Sequence, residues 1–169
     1  MRPRRSMSGS RPRCVKPPTW GAICKTMTSS SNVSAGIVIA GHGGFAAGLR
    51  DAVECVAGPQ PRVAAISNHG LDADGISAAL SDAVDRVRAD VIFTDLPAGS
   101  CTIAARRLAK SRGSITVVTG ANLPMLLDCV LKERVGAAGA TLSAAKGRDG
   151  VLVIAAEPTS GVEDGSHGG

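Results

Sequence analysis

The sequence predicts an α/β domain: a doubly wound, mostly parallel sheet of about four strands with helices on both faces. Three observations predict it. From residue 35 onward, short apolar runs alternate with stretches of helical periodicity, the order expected of a chain that crosses back over its own sheet. Hydrophobic residues make up 44% of the chain but aromatics only 2%, so the core must be built from Ala, Val, Leu and Ile. With 21 glycines, that composition suits closely packed α/β layers better than an aromatic-rich sandwich. The length of 169 residues is that of one domain with tails.

The elements follow in order. Ile37-Val38-Ile39-Ala40 is an apolar run bounded by glycines, as a strand buried on both faces reads. Phe45–Ala57 has helical spacing, with Leu49, Val53 and Val56 on one face, and Gly58-Pro59 stops it. Val63–Ile66 is a second strand and Asn68-His69-Gly70 a turn. Asp74–Val87 is a helix with Ile76, Leu80, Val84 and Val87 in register. Val91–Asp95 is a third strand that ends on an acid, and after the Leu96–Gly99 loop Ser100 caps a helix to about Lys110. Ile115–Val118 is a fourth strand. Asn122 caps the next helix, with Pro124 in its first turn, and that helix runs to about Val135. Ala137–Lys146 is a further helix, Gly147–Gly150 a turn and Val151–Ile154 a last apolar strand. The predicted domain therefore spans residues 35–157, between a basic extension over 1–34 and a flexible tail over 158–169.

Charge and cysteine usage narrow the function classes. Seven cations and no acid lie in residues 1–34, so the net charge of +5 divides into +7 for that segment and −2 for the remainder. Nucleic-acid binding needs a basic face on the fold with aromatics or arginines reaching the bases, and this chain has no Tyr, two Phe and one Trp. No nucleic-acid partner is expected. The five cysteines, Cys14, Cys24, Cys55, Cys101 and Cys129, are odd in number and widely spaced. Neither a disulfide framework nor a metal site is expected; Cys55, Cys101 and Cys129 read as small buried hydrophobes, as in a reducing, cytoplasmic compartment. No apolar run reaches the ~18 residues that span a bilayer. The basic leader lacks an apolar stretch and is crowded with Pro and Ser; it reads as a disordered extension, or as sequence upstream of a true start at Met27, rather than as an import or secretory signal.

Ligands of a doubly wound sheet bind beyond the carboxyl ends of its strands, at the switch point. Four polar residues follow strands and so gather at that edge: His42, Asp95, Ser100 and Asn122. An imidazole is a good nucleophile when one nitrogen donates its proton to a fixed acceptor and the other is free. Asp95 is the natural acceptor for His42, setting its tautomer and steadying positive charge on the ring. Glycines on both sides of His42 let another protein approach closely, and the Ser100 hydroxyl with nearby backbone amides can hold phosphate oxygens. The competing reading of His42 is a hydrogen-bonded loop residue. His69 and His167 sit in a turn and a glycine tail and read as incidental, as does the sequon Asn32-Val33-Ser34. Gly41-His42-Gly43-Gly44 lacks both the Lys-Ser/Thr of a nucleotide phosphate loop and GxGxxG spacing, so no nucleotide cofactor is expected.

Three segments resemble one family. Ile37-Val38-Ile39-Ala40-Gly41-His42-Gly43, followed by Phe45-Ala46-Ala47-Gly48-Leu49, is similar to the first strand and helix of the mannose-type IIA proteins of the bacterial phosphoenolpyruvate-dependent sugar phosphotransferase system. Thr94-Asp95-Leu96-Pro97-Ala98-Gly99-Ser100 resembles its Asp-x-x-x-Gly-Ser loop, and Gly120-Ala121-Asn122-Leu123-Pro124-Met125-Leu126 its Gly-x-Asn-hydrophobic-Pro-Met-Leu segment. The motifs occur in the family's order over about residues 35–157. The resemblance implies that His42 accepts a phosphoryl group from the phosphohistidine carrier protein HPr and passes it to a IIB subunit, serving a membrane IIC/IID permease indirectly. It implies that Asp95 orients His42, that Ser100, Gly99 and Gly43 border the phosphoryl group with Asn122 nearby, and that neither metal nor cofactor takes part. It also implies a homodimer in which Val151–Ile154 crosses to the neighbouring subunit. The family often has a Trp in the Asp–Ser loop; Leu96-Pro97-Ala98 here is similar to members handling amino sugars. Two alternatives remain: a regulatory module that senses phosphorylation without feeding a transporter, and a dihydroxyacetone kinase subunit, whose usual His-Ser segment is here His42-Gly43.

Overall fold

A computed structural model describes residues 35–155 of the chain. The leader with Cys14, Cys24 and the sequon, and the tail with His167, lie outside the described residues. The element order is β1 (Gly36–Gly41), α1 (Phe45–Ala57), β2 (Val63–Ser67), α2 (Ala73–Val87), β3 (Ala89–Thr94), α3 (Ser100–Arg112), β4 (Thr116–Thr119), α4 (Leu123–Leu131) and α5 (Gly136–Asp149). The four strands pair in parallel in the order β2-β1-β3-β4. The chain leaves β1 toward one edge to make β2, then crosses back to make β3 on the other side, so the switch point lies between β1 and β3.

Successive residues of a strand face opposite sides of a sheet, and β1 shows what that alternation builds. Val38 and Ala40 join Ala64 and Ile92 in a core layer covered by Ile76, Leu80 and Val84 of α2 and by Ala104 and Ala105 of α3. Ile37 and Ile39 join Val91 and Phe93 in the opposite layer, covered by Val53 of α1, Met125 and Leu126 of α4 and Ala140 of α5. The doubly wound, all-parallel sheet with helices on both faces is thus the predicted fold.

Several local expectations are corrected. On α1 the stripe that meets the sheet runs through Ala46, Leu49, Val53 and Ala57, so Val56 is exposed. A period of 3.6 carries the buried face from Val53 to Ala57, one position past Val56. Cys55 stands outside that stripe and is exposed, whereas Cys101 and Cys129 are buried as expected. α4 stops at Leu131 rather than near Val135. Glu133 takes a left-handed backbone (φ 47°), and the Arg134 amide bonds back to the Cys129 carbonyl, which closes the helix. Val151–Ile154 belongs to no strand of the single chain; its four apolar side chains are exposed. Among the described residues, no helix is long and apolar enough to cross a membrane.

Candidate functional site

The site is built where β1 and β3 end side by side. Ala40 pairs with Thr94 in the parallel register, so Gly41, the last residue of β1, and Asp95, the first residue after β3, come to the same edge side by side. Two groups 53 positions apart in sequence thereby meet: Asp95 Oδ2 accepts the His42 backbone N–H at 2.8 Å and lies 2.7 Å from His42 Nδ1. A carboxylate only accepts, so the proton of that second bond sits on Nδ1 and the lone pair of the neutral ring on Nε2. The His42 side chain is 49% exposed, and Nε2 has no partner among the described residues.

Asp95 is held on its other side as well. Its Oδ1 accepts the Leu96 backbone N–H at 2.8 Å. Burial alone would raise the Asp95 carboxyl; the bonds from the His42 ring, the His42 amide and the Leu96 amide, with the electrostatic attraction to that ring, outweigh it and hold the group below the usual carboxylate range. It is therefore a carboxylate at neutral pH.

Glycines make the close approach possible. A Cβ at Gly41 would lie 2.7 Å from the Phe45 ring and 2.9 Å from Asp95 Oδ2, so a side chain there would displace the carboxylate. A Cβ at Gly99 would stand 3.1 Å from His42 Cε1, the ring carbon between the two nitrogens. Gly43 has φ +53°, which turns the chain directly after His42 and leaves open space above it. Together with the exposed Leu96–Ala98 loop and Ser100, His42 and Gly99 border a shallow, open depression.

Ser100 does not cap α3, contrary to the sequence reading. Gly99, in extended conformation, is the N-cap and provides no side-chain bond; the helix starts one residue earlier and Ser100 is its first residue. The N-terminal end of α3 is left without a side-chain cap beside His42, where its dipole favours an anion. Asn122, by contrast, does cap: its Oδ1 accepts the Met125 N–H at 3.1 Å, and its Nδ2 donates to the Gly147 carbonyl at 3.0 Å. It stands at the same end of the sheet, but both ends of its amide are committed to joining α4 and α5. His42, Asp95, Gly99 and Ser100 are thus brought together, and the Asn122 side chain is not part of that group.

Two contributions escaped the sequence reading. Thr94 and Thr102 are buried, with their hydroxyls 2.7 Å apart, and the Thr102 hydroxyl also donates to the Leu96 carbonyl; they tie the Asp95–Ser100 loop to the sheet and to α3. A Thr at the last position of a strand that otherwise reads Val-Ile-Phe was the available signal. Asn68, in the turn after β2, donates from Nδ2 to Ser100 Oγ at 3.3 Å. No group of described His, Cys, Asp or Glu residues is placed to hold a metal ion.

Comparison with known proteins identifies the family. Residues 36–146 match the family model described as the PTS system fructose IIA component, EIIA-man. Among solved structures, a phosphotransferase system component EIIA from Streptococcus agalactiae is 25% identical over 70% of this chain and 96% of that chain, with a TM-score of 0.66. A PTS IIA protein associated with the fucose utilization operon of Streptococcus pneumoniae is 22% identical, covering 71% of this chain and 93% of that one, with a TM-score of 0.64. A mannose/sorbose-specific IIA subunit from Enterococcus faecalis is 18% identical, covering 74% and 98%, with a TM-score of 0.65. The family match spans both strands that carry the site, the glycines that let them approach and the helices behind them; the chain belongs to the EIIA-man family of IIA components of the sugar phosphotransferase system.

Proposed function

We propose that His42 is the phosphoryl carrier of this IIA component, charged by the phosphohistidine protein HPr and discharged to a IIB subunit. The observation that carries the reading is the bond from His42 Nδ1 to Asp95 Oδ2, which fixes the ring and leaves Nε2 exposed above a glycine-lined opening. In the transfer, the Nε2 lone pair forms the new N–P bond as the donor histidine's N–P bond breaks. The Nδ1 proton stays in place, and the positive charge that the ring acquires is met by the Asp95 carboxylate. Phosphoryl oxygens are held by the Ser100 hydroxyl and by the start of α3 at Gly99 and Ser100, with the open backbone at Gly43 admitting the partner. The phosphoryl group passes from one histidine nitrogen to another, so the step is reversible and is served by in-line positioning with oriented dipoles.

The test is incubation with phosphoenolpyruvate, the system's first enzyme and HPr. Acid-labile, base-stable label is expected on the wild type and not on His42→Ala; label that survives the substitution rejects His42 as the carrier. Sugar uptake in a deletion strain separates a transport subunit from a regulatory one, since uptake is lost only in the first case.

The same reading includes a homodimer. The outer edge of β4 is unpaired in the single chain, and a groove along it is lined by Thr116, Val118, Ala140 and Ala144. The exposed Val151–Ile154 has the length and alternating faces of a strand to occupy the partner's edge. Light scattering is expected to give a dimer for the full chain and a monomer after truncation at Gly150.

A further inference from the structure

The turn after β2 reaches into the site from a strand that contributes neither His42 nor Asp95. The Asn68 backbone N–H donates to the Gly41 carbonyl at 3.2 Å, one residue before His42, and its own carbonyl accepts the Leu71 N–H at 3.1 Å. Ser67 Oγ accepts the His69 N–H at 3.1 Å and completes the turn. The Asn68 main chain is therefore fixed against the end of β1, and its half-buried side chain extends to Ser100, where Nδ2 donates to Oγ at 3.3 Å.

The direction of that bond matters. A serine hydroxyl has one proton to give and two lone pairs to receive. Ser100 does not cap its helix, so no backbone amide of α3 determines how its hydroxyl is turned. When Asn68 fills a lone pair of Oγ, the hydroxyl proton is directed away from Asn68 and remains to be donated elsewhere. On the reading of His42 as a phosphoryl carrier, the group that needs it is the incoming phosphoryl. We propose that Asn68 is a positioning residue for Ser100: by donating to Oγ it turns the hydroxyl into a donor toward the phosphoryl group on His42.

A neutral donor of short reach is what the position requires. An aspartate of the same shape cannot donate; it would take the Ser100 proton for itself and set a negative charge beside the arriving phosphoryl group. Alanine would leave the hydroxyl free to rotate. Neither change touches the bonds that the Asn68 main chain makes to Gly41 and Leu71.

The experiment is single-turnover transfer from phosphorylated HPr to the full chain, with wild type, Asn68→Ala, Asn68→Asp, Ser100→Ala and the double variant Asn68→Ala/Ser100→Ala. Asn68→Ala should slow transfer at saturating HPr about three- to tenfold, the range of one net hydrogen bond. The HPr concentration at half-saturation should not change, since the bond acts on the reacting group and not on docking. Asn68→Asp should be slower still. In the Ser100→Ala background the Asn68→Ala change should cost less than about twofold, because its target is gone. Wild-type rates in both Asn68 variants or in Ser100→Ala, full additivity in the double variant, or a change confined to half-saturation overturns the inference. A wild-type chain that takes no label on His42 overturns the carrier reading and this inference with it, an outcome distinct from labelled wild type with indifferent Asn68 variants.

Discussion

Asp95 and Asp128 are alike in exposure and in the direction in which their carboxyls are shifted, and they differ in what their partners have left to give. Their side chains are 9% and 6% exposed. Both are held below the usual carboxylate range. Asp128 meets Lys132 Nζ at 2.7 Å through Oδ1, and Arg134 Nε at 3.3 Å and Ser143 Oγ at 3.1 Å through Oδ2. For Asp128 the bond from Lys132 is the largest influence and outweighs burial, whereas for Asp95 burial is the largest single influence and the several bonds together overcome it. The partners of Asp128 pin α4 to α5 and the turn between them. The chief partner of Asp95 is an imidazole with a second nitrogen, and that nitrogen faces the opening. On the proposed function, a low carboxylate is thus a structural clamp in one region and part of a reactive pair in the other; the free nitrogen of the partner decides, not the carboxylate itself.

The sharpest way to break the comparison is to exchange each carboxylate for a neutral group. Asp95→Asn removes the charged partner of the His42 ring and should slow phosphorylation of His42 about ten- to a hundredfold, the range of a charge-assisted hydrogen bond, with the fold retained. An unchanged transfer rate would make Asp95 a clamp like Asp128. Asp128→Ala should do the reverse: a loss of about 1–3 kcal/mol in stability, discounted because Lys132 and Arg134 reach solvent, with the transfer rate per folded molecule unaltered. Urea unfolding measures the first, and rapid-quench labelling the second.

Acid sharpens the same contrast. A carboxylate whose folded value is depressed contributes stability above its unfolded value, near 3.9, and that contribution is lost as pH falls through the lower folded value. Stability should therefore be level for both groups at neutral pH and decline below about pH 4. Asp128→Asn should remove part of that decline, read as a shallower slope of unfolding free energy against pH; an unaltered slope would show that the Asp128 cluster does not form in solution. The smallest effect is expected at Gly99→Ala, where the new methyl presses on His42 Cε1 and the ring must shift by a few tenths of an ångström. Transfer should slow about two- to fivefold with little change in stability.

Much of this was legible in the residues because it follows from local pattern. The apolar run between Gly36 and Gly41, the stripe Ile76, Leu80, Val84 and Val87, and the Asn122 cap with Pro124 behind it are each decided within one or two turns of chain. His42 and Asp95 could be placed at one edge from strand order alone, since parallel strands end on the same side. The local exceptions share a cause. Ser100 reads as a cap and is not one, because the extended Gly99 starts α3 a residue earlier. Val56 reads as core and is exposed, because a stripe of period 3.6 passes through Ala57. α4 reads to Val135 and ends at Leu131, because Asp128 draws Arg134 back and Glu133 turns left-handed.

What the sequence determined by itself was the class of fold, the alternation of its elements and the identity of a histidine flanked by glycines after the first strand. Which of the groups at that edge bond to one another, and that Asn68 joins them, was decided only by the tertiary structure. The bonds from His42 to Asp95 and from Asn68 to Ser100 join residues on separate strands and loops, through registers that no local pattern encodes. Periodicity reports which way a side chain faces relative to its own element. The distance from one element's side chain to another's is set by how strands pair and helices pack, and at this site a difference of one residue in a helix start turned Ser100 from a cap into a partner for Asn68.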